Sequence, residues 1–224
     1  MTQDTVRGPE PDTHSDHRPR RPAQDGQPGG QHIGALVGTL SVLDTRLLDD
    51  WGQRLVTVTG QGGRLLVAGD GASAGQAEYF AAQFTGRFTV GRRDRPAIAL
   101  RVTAPAAALA SAGTTPASTA PEEAFACQVR AYGRPGDVLL TVSTSGRNHR
   151  LLRAVAAARA GGIVTWCLTG PAPNPLADAC DEAVCVYPAG ARALSLTATV
   201  REAHQVALHL IYLSFDAAGP ASGA

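Results

Sequence analysis

Two short stretches carry side chains able to hold an anion. "GDGASAG" covers residues 69–75 and "STSGRNH" covers residues 143–149. Each follows an apolar run and opens a helical pattern. Glycines let the backbone approach a ligand closely, while hydroxyls and free N–H groups at a helix start attract negative charge. The first stretch offers Gly69, Gly71 and Ser73, and the second offers Ser143, Thr144 and Ser145 in succession. Neither fits the GxGxxG or GxxxxGK[ST] phosphate patterns. A plain serine helix cap also accounts for Ser73, but two such loops favour an anion site. Acid–base candidates lie on the final helical stretch, where Glu202 and His209 are seven apart and so share a face. Glu78 sits near the start of the helix after the first loop. His149 reads as a surface residue at a helix start, and His204, like Glu202, as a solvated or intersubunit contact.

These loops need elements to place them. Short apolar runs at 64–69, 96–102, 137–143, 162–170 and 182–187 predict strands buried on both faces. Helical patterns lie at 73–88, 122–132, 147–160 and 193–214, with an amphipathic helix over 41–58 leading in. The alternation predicts an α/β fold, a three-layer sandwich around a mainly parallel five-stranded sheet, with ligands at the carboxyl ends of the strands. Residues 1–31 are rich in Pro, Gly, Asp, Arg and Gln and read as a disordered tail, 32–216 as one domain, and 217–224 as a flexible end.

Composition narrows the partners. The chain has 224 residues, 44% hydrophobic and 17% charged, with a formal net charge of +1. No Lys/Arg cluster of the kind that grips a nucleic-acid backbone is present, and no segment reaches the roughly 20 apolar residues of a membrane span. Cys127, Cys167, Cys180 and Cys185 form no CxxC pair, which suggests a reducing compartment and no zinc site. The expected location is cytoplasmic.

Three motifs in order, "GDGASAGQAEYFAAQFTGRF", "GDVLLTVSTSGRNHRLLRAVAAARAGG" and "VREAHQVALHLIYL", resemble the SIS-domain (sugar isomerase) proteins, and among them the phosphoheptose isomerase group acting on sedoheptulose 7-phosphate. The likeness runs from about residue 41 to residue 214. It implies a flavodoxin-like α/β sandwich, a homotetramer with sites between subunits, and a second loop that grips the sugar phosphate through Ser143, Thr144 and Ser145. The family's first loop reads Gly-Asn-Gly-Gly-Ser, so Gly69, Gly71 and Ser73 match while Asp70 and Ala72 depart; Asp70 brings a carboxylate to the substrate end. Asn148 replaces a further serine of the second loop and retains a donor.

The same resemblance places the family's catalytic machinery on unsuitable residues. Its glutamate base, which also binds zinc, falls on Gln83; the other zinc positions fall on Tyr79, Arg201 and His209. Only His209 is kept. An amide cannot take the proton that aldose–ketose isomerisation must move, and an arginine puts a cation where the metal would sit. The family's Ser-Asn-Asp segment after the second strand is replaced by "ASAGTTPASTAPEE" at 110–123. The expectation is a phosphosugar-binding protein with no cofactor and doubtful turnover. Two alternatives stand beside it. One is a non-catalytic tetrameric module similar to the relative that binds the bacterial replication initiator. The other is an isomerase whose acid–base pair has moved to Glu202 and His209.

Overall fold

The computed structural model describes residues 28–86, 95–102, 120–190 and 193–219. Most of the expected tail, most of the 110–123 segment, the last two residues of the 73–88 helix expectation and the final five residues of the chain lie outside these. Helix α1 begins at Pro28 and runs to Leu40, so it enters the segment read as tail. Gly29, Gly30, Gly34 and Gly38 make it a weak helix former. Packing secures it instead. Leu36 and Leu40 rest on a small cluster with Val186, Val200 and Ala203, and Thr39 Oγ1 accepts from the Ala189 N–H at 2.9 Å.

Helix α2 (Thr45–Gly60) starts at Asp44, whose side chain accepts from the Leu47 N–H. Strand β1 (Leu65–Gly69) leads through a 3-10 turn, Gly71–Ser73, into α3 (Ala74–Thr85). Then come β2 (Ala97–Leu100), α4 (Ala124–Tyr132), β3 (Val138–Ser143), α5 (His149–Ala160) and β4 (Val164–Thr169). A five-residue α6 (Pro175–Ala179), β5 (Glu182–Cys185) and the 26-residue α7 (Ala193–Ala218) finish the described chain.

All five strands are parallel, in the order β2-β1-β3-β4-β5. Both faces of the sheet are covered, and the side-chain alternation of period two divides the core accordingly. Leu65, Val67, Val138, Leu140, Val142, Trp166 and Leu168 face the layer of α2, α3 and α7. Leu66, Ala68, Leu139 and Cys167 face α4, α5 and α6. This two-sided burial is why the strands read as unbroken apolar runs.

Trp51 of α2 and Trp166 of β4, both fully buried, stack with ring centroids 4.8 Å apart and planes 3° from parallel. Trp51 Nε1 donates to Glu182 at 2.9 Å, and the Arg54 guanidinium lies over Trp166. Among the described residues, no helix is long and apolar enough to cross a membrane.

Candidate functional site

In a parallel sheet of this order, the chain turns in opposite directions after β1 and after β3, leaving a crevice at their carboxyl ends. Both candidate loops emerge there. Gly69 pairs in register with Val142, so Asp70 and Ser143 leave the sheet side by side. Ser143 in turn pairs with Thr169 of β4.

The first loop is a tight turn. A methyl group on Gly69 would lie 2.3 Å from the Ser73 carbonyl oxygen, so only glycine admits this approach. Ser73 is buried and makes no side-chain cap to α3, which sets aside the helix-cap explanation for it. The capping side chain is Asp70, whose Oδ1 accepts from the Gly71 N–H at 2.9 Å.

The second loop folds on its own hydroxyls. Ser143 Oγ accepts from the Gly146 N–H at 3.1 Å, and Ser145 Oγ from the Arg147 N–H at 3.3 Å. Each serine keeps its own hydroxyl proton to donate. Ser143 is buried, Thr144 half-buried and Ser145 exposed. Gly146 has φ +63°, and an added methyl would lie 1.9 Å from Asn174 Oδ1. Asn174, itself buried, braces the loop from the β4 side. It accepts from the Ala177 N–H at 3.0 Å, while the Leu176 N–H donates to the Gly146 carbonyl at 3.0 Å. Asn174 was not legible as a site residue; its place opposite Gly146 depends on the β4–α6 connection.

Asn148 and Asp70 join the two loops. Asn148 Oδ1 caps α5 by accepting from the N–H groups of Arg150 and Leu151, and its Nδ2 donates to Asp70 Oδ2 at 2.7 Å. Arg150 Nη1 donates to the same oxygen at 2.9 Å. Burial opposes ionisation of Asp70, but the donors from Asn148, Gly71 and Arg150 outweigh it and hold the carboxyl below its ordinary value. Asp70 is therefore an anion with both oxygens engaged.

The α3 and α7 residues meet through Gln76, whose Nε2 donates to the Arg201 carbonyl at 2.8 Å. Gln83 is buried on α3, with Oε1 lacking a partner among the described residues. Tyr79 is 49% exposed, so in the protomer it is not the packing residue its neighbour Phe80 is. Arg201 is half-buried and His209 exposed. Glu202 lies 2.7 Å from His32 Nε2 of α1, an ion-pair distance that ties α7 to a helix absent from the sequence reading. Glu78 pairs with Arg101 at 2.9 Å, and His149 is exposed at the start of α5.

His204 differs most from expectation. It is fully buried, and neither ring nitrogen has a partner in hydrogen-bond geometry among the described residues. Burial pushes its pKa down to about 4, with the Thr169 backbone opposing the shift. Burial beside the Thr169 backbone at the end of β4, not solvent, is the setting of this imidazole.

The family model described as "SIS domain" matches residues 32–170, which span both loops. The chain belongs to the SIS-domain family. Within that family it is phosphoheptose isomerase-like. This SIS protein is 48% identical over 174 residues to a Streptomyces coelicolor phosphoheptose isomerase, covering 75% of this chain and 68% of that one. A Thiobacillus denitrificans phosphoheptose isomerase is 38% identical over 165 residues, covering 72% and 78% of the two chains. The solved structure of the Neisseria gonorrhoeae phosphoheptose isomerase superposes with a TM-score of 0.68 at 27% identity, covering 84% of this chain and 95% of that chain.

Zinc is the metal that the SIS resemblance implies for this SIS protein. Its four candidate positions present a phenol, a buried amide, a guanidinium and one imidazole, and a guanidinium has no lone pair to give. Among the described residues, no group of three or more His, Cys, Asp or Glu could hold a metal ion.

Proposed function

We propose that this SIS protein binds a phosphorylated sugar in the crevice between its two loops, and that it does not isomerise sedoheptulose 7-phosphate by a glutamate base and zinc. The single observation that carries the binding half is the second loop. Two serine hydroxyls accept from the loop's own backbone and retain protons to donate, at the carboxyl end of β3 and directly before the 12-residue helix α5. A phosphate dianion placed there meets hydroxyl donors and the positive end of a helix dipole. The phosphoheptose isomerases to which the chain is similar support a heptose phosphate as the first sugar to try.

The loss of that route follows from Gln83. A neutral amide has no proton affinity near neutral pH, and positioned acid–base help is worth about 10²–10⁴ in rate. The subunits assemble as a homotetramer in this reading. Its support is the apolar surface of α1 and the turn after it, where Ile33, Val37 and Val42 are each more than 60% exposed.

Calorimetric titration with sedoheptulose 7-phosphate tests the binding site. Replacing Ser143 and Ser145 together by Ala removes two charge-assisted donors, each worth about 1.5–3 kcal/mol. Affinity should fall by at least two orders of magnitude; an unchanged affinity refutes the loop assignment. Light scattering at micromolar concentration checks the assembly, and a monomer would refute it.

A further inference from the structure

We infer that Arg150 is a ligand-binding cation and that Asp70 is its resident counter-ion, a carboxylate that pairs with the guanidinium and gives it up to an incoming phosphate. This rests on the phosphosugar reading above and names how charge is arranged within that site.

The two residues are 80 apart in sequence, yet they meet because β1 and β3 are neighbours and both loops leave the same end of the sheet. Asp70 Oδ2 accepts from both Arg150 Nη1 and Asn148 Nδ2, and Oδ1 accepts from Gly71 N–H. With both oxygens engaged, the carboxylate serves as the internal anion of the crevice. Its depressed pKa keeps it charged at any pH where a sugar phosphate is a dianion.

The two partners of Asp70 are held differently. Asn148 is fixed by its own helix-capping bonds to Arg150 N and Leu151 N. Arg150 reaches Asp70 at the end of a long side chain that is 37% exposed, against 19% for Asp70, and this pair is one of the contacts that Arg150 makes. A half-exposed pair of single charges is weakly held. Phosphate carries nearly two charges, and its oxygens match the guanidinium fork in a two-point contact that a carboxylate already shared with Asn148 does not offer. The exchange therefore favours the phosphate, while Asp70 sets its threshold: weaker or singly charged anions fail to displace it. The crevice thus discriminates by charge as well as by shape.

The experiment titrates inorganic phosphate and sedoheptulose 7-phosphate into the full chain and into Asp70→Asn, Arg150→Gln, the double variant, and the Ser143/Ser145 double alanine variant. Asp70→Asn keeps the shape and removes the competing charge, so both ligands should bind about three- to tenfold tighter, with a steeper loss on adding salt. Arg150→Gln should bind about tenfold weaker. The double variant should gain less over Arg150→Gln than Asp70→Asn gains over the parent, because only the relief of like-charge repulsion remains once the arginine is gone. Binding to Asp70→Asn that is equal to or weaker than the parent's, or an Arg150→Gln variant that binds normally, overturns the inference. If the serine variant alone loses binding, the phosphosugar site stands and only the counter-ion role falls. If neither the parent nor Asp70→Asn binds either ligand, both readings fall together. Thermal melting of each variant separates lost affinity from lost fold, and a weaker Asp70→Asn with a lowered melting point marks Asp70 as a structural strut and refutes its role as a competitor.

Discussion

Mild acid should destabilise this protein through one imidazole. His204 is buried on α7 with neither ring nitrogen in hydrogen-bond geometry among the described residues, and its pKa is lowered from 6.5 to about 4. The unfolded chain therefore binds a proton that the folded chain refuses between those two values, and stability falls as pH drops through that interval. From pH 7 to pH 5 the unfolded imidazole becomes almost wholly charged while the folded one stays mostly neutral, a loss of about 2 kcal/mol by linkage. Below pH 4 the loss levels off near about 3 kcal/mol. Asp70 and Asp181 are held below the ordinary carboxylate value, so their contributions are lost at lower pH and leave this window to His204. The assay is urea unfolding followed by circular dichroism at pH 7 and pH 5, at fixed protein concentration. His204→Phe fills the site without a titrating group, and His204→Met is the more adaptable second choice. Either variant should lose most of the parent's difference between the two pH values. A variant with the parent's full pH dependence would show that another group titrates and that the burial argument is wrong.

Gly146→Ala forces a methyl into Asn174 and Thr169 at a φ that side chains rarely adopt; it should cost about 1–3 kcal/mol in urea unfolding and abolish calorimetric phosphate binding. Retained binding would separate the second loop from the ligand. Gln83→Glu places a carboxylate where Oε1 has no partner among the described residues, so it should lower stability by about 1–3 kcal/mol even though it is the first chemical step toward an isomerase. A coupled assay for aldoheptose phosphate should find no product from the parent. Robust parent activity, lost on Glu202→Gln or His209→Ala, would show that the acid–base pair has moved to α7.

The strands were readable because burial on both faces leaves unbroken apolar runs, and the two loops because hydroxyls and glycines follow those runs directly. Helix α1 was not, since four glycines weaken its helical signal and its stability comes from Leu36 and Leu40 packing beside Val200, some 160 residues later. The short α6 carries too few turns to show a period. Asp70 was visible as a departure from the family's loop, but its meaning was not. Its partners Asn148 and Arg150 become neighbours only once β1 and β3 pair. His204 shows the opposite failure: a polar residue between Glu202 and Gln205 reads as surface, and only the packing of α7 on the sheet shows that it is interior.

The stacked pair of Trp51 and Trp166 also determines what light can report. These are the chain's two tryptophans, so the whole indole signal arises from one contact between α2 and the sheet. Trp166 lies three residues before Thr169, which puts it about 10 Å down the strand from the crevice, beneath buried side chains. Intrinsic fluorescence should therefore stay silent when a phosphosugar fills the loops and change when α2 parts from β4. For ligand work an extrinsic dye or calorimetry is required. For unfolding, a fluorescence transition that runs ahead of the circular dichroism would reveal that the α2 layer detaches first.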